Sequence, residues 1–264
     1  VLKNLSRAAC RSACVLVAAS ICATTVYAMR VSPMVVEMSS VGTGAVARIE
    51  VQNLNPGQLP FETRITKIDF QPDGTVKETP ADQNFIVFPP QGILPQGARQ
   101  VVRLQWVGAA DLPASEAYYL SVNQLPVAVD GSAQGAQVQV VYHMKALVVV
   151  APPGAQPNVS TVYVKPQDYP MPAAKPGDPP PAKVQGIEIE LKNTGRRHAM
   201  MSSLRWILDG TGLDGKPLRI ILSPDDLNRY AGAGYLAGGG ATRVFRLPLV
   251  KGFGPGPIQV KFLK

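Results

Sequence analysis

The stretch Gln137 to Val150, QVQVVYHMKALVVV, constrains the fold of this chain more than any other. Its first half alternates with a period of two, so Val138, Val140, Tyr142 and Met144 share one face of a strand and Gln139, Val141 and His143 the other. Lys145 interrupts the pattern. From Ala146 to Val150 every residue is apolar, up to a strand end and hinge at Ala151-Pro152-Pro153-Gly154. Such a strand is either an ordinary core strand or an edge that another chain uses.

The surrounding sequence reads as strand, turn, strand. Ile49 and Val51 alternate with Arg48, Glu50 and Gln52 and stop at Asn53-Leu54-Asn55-Pro56-Gly57. Phe61, Thr63 and Ile65 keep one phase, then Ile68 and Phe70 take the other, which predicts a bulge. Gln71-Pro72-Asp73-Gly74 is a turn, with Pro presetting φ and Gly accepting a positive one. Phe85 to Phe88, Val102 to Trp106 and Tyr118 to Leu125 are further strands, and Arg103 faces away from Val102, Leu104 and Trp106. With 25 Pro and 24 Gly in 264 residues, the composition favours short strands and turns, and no amphipathic helix is expected. The expected fold is all-β: two immunoglobulin-like β-sandwich domains with a cleft between them. The first spans 29–151, a linker covers 152–158, and a smaller sandwich at 159–264 carries a Pro-rich insertion, extended or mobile, at 165–183.

Residues 1–28 have the pattern of a signal peptide. Lys3, Arg7 and Arg11 form a positive segment without acids, Ala13 to Ala23 is apolar, and Val26-Tyr27-Ala28 suits a signal peptidase. Export to the periplasm with cleavage after Ala28 is expected, with no membrane insertion afterwards, since the apolar run falls short of a span. All three cysteines, Cys10, Cys14 and Cys22, lie in this segment. The processed chain therefore has no disulfide, and its cores rest on packing alone. Losing three cations and no acids takes the formal charge from +8 to +5, and the basic residues are scattered, so no nucleic-acid partner is expected.

Enzymatic readings lack parts. His143 and His198 fall in different domains without carboxylates at ligand spacing, which leaves no metal site, no catalytic residue and no cofactor. The run Gly232 to Gly240 reads as a loop, because no Lys-Ser/Thr follows it. A binding surface remains.

Phe88-Pro89-Pro90-Gln91-Gly92-Ile93-Leu94-Pro95-Gln96-Gly97, then Gln100 to Leu104, Tyr118 to Pro126 and Val138 to Lys145 together resemble the N-terminal domain of PapD-like periplasmic pilus chaperones of the chaperone–usher pathway. The resemblance implies that the last long strand of the first domain is lent to a pilus or fimbrial subunit lacking a strand, which is then passed to an outer-membrane usher. The lent, groove-filling side chains would be Ala136, Val138, Val140, Tyr142 and Met144. Lys145 falls on the family's strand lysine, and with Arg103 it is the expected holder of the subunit's terminal carboxylate. The most studied members carry an arginine on the first strand, where this chain has Glu37. They also follow the strand lysine with an aromatic-Arg-Pro sequence, where this chain has Leu147 to Pro152. Both departures indicate a divergent branch. A free apolar edge invites association, so self-capping or self-association of the unbound chain is a further expectation. The alternative class is an exported structural β-sandwich protein, a surface or pilus subunit or adhesin. Such a subunit should carry a donor extension just after the cleavage site, where Met29-Arg30-Val31 leads directly into a strand.

Overall fold

The alternating segments of the first half fold as ten strands: β1 (Met29–Ser32), β2 (Val35–Ser39), β3 (Val46–Asn53), β4 (Leu59–Phe70), β5 (Val76–Pro80), β6 (Phe85–Phe88), β7 (Gln91–Leu94), β8 (Arg99–Trp106), β9 (Glu116–Gln124) and β10 (His143–Ala151). The structure is a computed structural model that describes residues 29–126, 140–169 and 183–264. The predicted signal peptide, Ala136, Val138 and most of the Pro-rich insertion lie outside the described residues.

One sheet has the order β1-β3-β8-β6; the other runs β2-β10-β9-β4-β5, with β7 also on β4. Their inner faces meet in a core that includes Ile49, Phe61, Leu104, Tyr118, Val148 and Val150. Phe85, Trp106 and Tyr118 pack edge to face, with ring centroids 4.9 to 5.7 Å apart.

The second half forms β11 (Val159–Tyr169), β12 (Val184–Asn193), β13 (Ala199–Met200), β14 (Arg205–Thr211), β15 (Pro217–Leu222), helix α1 (Pro224–Ala231), β16 (Tyr235–Leu236), β17 (Ala241–Pro248) and β18 (Gln259–Leu263). Sheets β11-β12-β17 and β15-β14-β18 enclose a core around Trp206, Ile189 and Phe245.

Three expectations need correction. The phase change in β4 is not a bulge, because its register against β9 and β5 is unbroken. The strand instead serves two cores: Ile65 faces its own sandwich, while Ile68 and Phe70 face the opposite way, toward Tyr235. The insertion begins later than Lys165, since β11 pairs with β12 through Tyr169. Pro166 is tolerated there because β11 is an edge strand and needs no second ladder partner. Finally, α1 exists where no helix was expected. Ser223 and Asp226 cap it reciprocally and Pro224 starts it.

The two sandwiches touch extensively. Tyr235 sits against Ile68, Ala117, Leu147 and Val149, closing the outer face of the β10 sheet. The close turn that presents it requires Gly234, with φ +64°, where a Cβ would lie 2.5 Å from the backbone N of Ser202. The Arg196 guanidinium donates to the carbonyls of Pro113 (2.9 Å) and Leu112 (2.6 Å), and the Val244 N–H donates to the Pro72 carbonyl at 2.8 Å.

Candidate functional site

The lower half of β10 has a neighbour on one side only. Leu147 to Ala151 pair in parallel with β2, whereas His143 to Val150 pair with β9, so His143 to Ala146 leave one edge open among the described residues. The direction of the backbone groups follows from two bonds. The Tyr142 carbonyl accepts from Gln124 N–H on the β9 side, and Leu147 N–H donates to the Met34 carbonyl on the β2 side. Successive residues of a strand alternate, so even-numbered residues bond to β9. His143 and Lys145 therefore turn their N–H and C=O toward the open edge. An edge of unpaired donors and acceptors is a template for another strand.

Side-chain burial grades along the same strand. Val150, Val148 and Ala146 are fully buried in the first core, and Met144 and Tyr142 are half-buried against it. Val140, three residues before β10 begins, is 59% exposed. The border of this chain's own core thus lies between Tyr142 and Val140. It is earlier than Lys145, the border that the sequence pattern marks.

Lys145 and Arg103 are not brought together. Lys145 projects from the outer face of the β10 sheet, where its Nζ donates to Glu78 Oε1 at 2.6 Å and lies 5.5 Å from the centre of the Tyr119 ring. That bond holds the Glu78 carboxyl below its ordinary range, with a further contribution from the Thr66 hydroxyl. Arg103 projects from the outer face of the other sheet, beside Arg48 and Phe88 in one row across β3, β8 and β6. Packed sheets are about 10 Å apart, so the two cations stand on opposite sides of the sandwich and cannot share one carboxylate. Alternation correctly turned Arg103 away from the core but could not say which sheet β8 joins.

The cleft between the sandwiches has a cation from an unexpected source. Glu37 on β2 pairs with Arg197 of the second sandwich, and His198 Nε2 lies 3.6 Å from the same carboxylate. These residues line a cavity of about 430 Å³ together with Met201, Phe262 and Lys264. Glu37 is thus matched by a basic residue across the junction, which a strand pattern cannot reveal.

His198 is buried, stacked on Tyr235 at 5.6 Å. The Ser115 hydroxyl oxygen accepts from the His198 backbone N–H at 3.1 Å and lies 3.2 Å from Nδ1, while Nε2 faces the Glu37 carboxylate. Burial pushes the imidazole below its ordinary value of 6.5; Glu37 opposes this and Arg197 adds to it. Because the folded value lies below the unfolded one, the unfolded chain takes up the proton first. The stabilisation is complete above the unfolded pKa and is lost as pH falls below about 6.5. Thermal unfolding from pH 7.5 to 5 is expected to show falling stability in that window, and His198→Gln is expected to flatten the fall. An unchanged slope in the variant contradicts the assignment.

Residues 30–156 match the model of a family described as pili and flagellar-assembly chaperone, PapD N-terminal domain. Among curated proteins no sequence relative is found. The fold is similar to the class 5 fimbriae chaperone CfaA, at 14% identity and a TM-score of 0.50, over 90% of this chain and 99% of that one. It is also similar to a chain of the Salmonella enterica SafA pilin–SafB chaperone complex, at 13% identity and a TM-score of 0.50, over 91% of this chain and 97% of that one.

Proposed function

We propose that this chain, whose residues 30–156 match the model of the PapD-type pilus-assembly chaperones, caps a pilus or fimbrial subunit with the open edge of β10 and delivers it to an outer-membrane usher. The observation that carries this reading is the edge at His143 to Ala146, continued by the exposed Val140. Backbone bonds from His143 and Lys145 hold the subunit's strand, while Val140, with Ala136 and Val138, enters its groove; Tyr142 and Met144, expected to do the same, pack on this chain's own core instead. Each large apolar side chain so buried contributes about 1.5 to 3 kcal/mol before association costs are met. Strand exchange needs neither nucleotide nor metal. The compartment is the periplasm, with which the leader-like residues 1–28 agree. A resemblance in fold to a chaperone with its pilin supports the same reading.

Lys145 alone, without Arg103, is the carboxylate anchor in this account. In the free chain it is already occupied by Glu78, but both side chains are partly exposed, at 45% and 33%, so that pair contributes no more than about 1 kcal/mol and is readily displaced. Glu78→Gln removes the internal competitor and is expected to tighten capture of a purified subunit about threefold to tenfold, equivalent to roughly 0.7 to 1.4 kcal/mol. Lys145→Ala is expected to weaken it at least tenfold. If neither variant changes the titration, Lys145 merely clips β5 to the sheet and the anchor lies elsewhere.

A further inference from the structure

The second sandwich has an open groove that subunit capture through β10 does not use. Two adjoining cavities, of about 480 and 430 Å³, share Leu218, Val250 and Lys251 and run along β15, whose only strand neighbour among the described residues is β14. The Lys216 carbonyl accepts from Gly212 N–H inside the hairpin. By alternation, even-numbered residues of β15 bond to β14, and Arg219 and Ile221 present their backbone groups to the groove side. Pro217 has the same parity, which fits an edge position that needs no N–H.

The floor is apolar and incompletely covered. Leu218 and Ile220 are only half-buried although both pack against the second core. Tyr230 (49% exposed) and Val250 (fully exposed) stand at its rim. The rim carries an excess of positive charge: Lys216, Arg219, Arg229 and Lys251 stand against Asp214 and Asp226. Asp214 Oδ1 accepts from the Lys216 backbone N–H at 3.1 Å, and the Asp226 carboxylate caps Ser223.

We infer that this groove docks an extended segment of a partner protein, one with apolar side chains on one face and carboxylates at its ends. It would add as a strand beside β15, satisfy the Arg219 and Ile221 backbone groups, and set alternate side chains over Leu218 and Ile220. The positive rim selects the acidic ends. The site lies apart from β10, so this inference stands or falls independently of subunit capture.

The probe is a fluorescein-labelled octapeptide in which valine alternates with threonine between terminal glutamates, titrated by anisotropy and by residue-resolved hydrogen exchange. Saturable binding is expected, with slowed exchange at Arg219 and Ile221. Lys216→Glu combined with Lys251→Glu, both at the surface, should weaken it at least tenfold while leaving the circular dichroism unchanged. Absence of binding, equal binding by the charge-reversed variant, or protection confined to His143 and Lys145 overturns the inference. So does a concentration-dependent dimer of the chain that the peptide cannot displace, since the occupant would then be a second copy.

Discussion

His143→Pro is expected to abolish subunit capture, at least a hundredfold in affinity, without unfolding the chain. The reason is directional. His143 turns its N–H to the open edge, so proline there removes no bond of the β9–β10 ladder, yet it deletes a donor that an added strand needs and places a ring in its path. Met144→Pro is the matched control. Its N–H faces β9, so the same ring one residue along is expected to damage the sandwich itself. Val140→Asp should weaken capture through the groove instead, because a charge would enter the subunit's apolar core. Size-exclusion of chaperone–subunit mixtures, with thermal melts of each variant, separates these outcomes. Capture by the folded His143→Pro variant at the unmodified affinity would remove strand addition from the mechanism.

The second large effect is expected at the junction. Tyr235→Ala removes an aromatic ring that is only 3% exposed and packs on Phe70 at 4.9 Å as well as on Leu147 and Val149. Aromatic-to-alanine changes in packed sites cost about 3 to 5 kcal/mol, and here the loss falls on the coupling between sandwiches. Scanning calorimetry is expected to resolve two transitions in the variant where the unmodified chain shows one, and Tyr235→Phe should retain one. Two transitions in the unmodified chain would show that the junction does not couple the sandwiches.

How much of this was legible in the sequence follows from what each signal reports. Period-two alternation reports which side of a strand faces a core, so the strands of the first sandwich and the outward turn of Arg103 were readable. It does not report which sheet a strand joins, and Arg103 was therefore paired with a lysine on the opposite face. Nor does it report partners distant in the chain: Glu78, which holds Lys145, precedes it by 67 residues. The phase change in β4 was visible, but its cause was a second core supplied by Tyr235, hidden in a glycine-rich stretch that reads as a loop. The helix carries a local signal, Ser223-Pro224-Asp225-Asp226, but its eight residues are too few for apolar periodicity to show.

Asn53 and Asn193 illustrate the same boundary. Each ends a strand, at a position that reads simply as a turn. In the structure both are fully buried. The Asn53 amide donates to the carbonyls of Gly57 and Leu94, and the Asn193 amide donates to that of Arg197. They are structural pins for corresponding corners of the two sandwiches, and nothing in the spacing distinguishes them from exposed turn residues.

The most direct measurement of the central claim is residue-resolved amide exchange of the chaperone, free and bound to a pilus subunit. The free chain should exchange His143 and Lys145 rapidly and their β9-bonded neighbours Met144 and Ala146 slowly. In the complex, His143 and Lys145 should become as slow as their neighbours, because a second strand then covers the edge. If both remain fast in a stable complex, the subunit is held somewhere other than β10, and the account given for this strand is wrong.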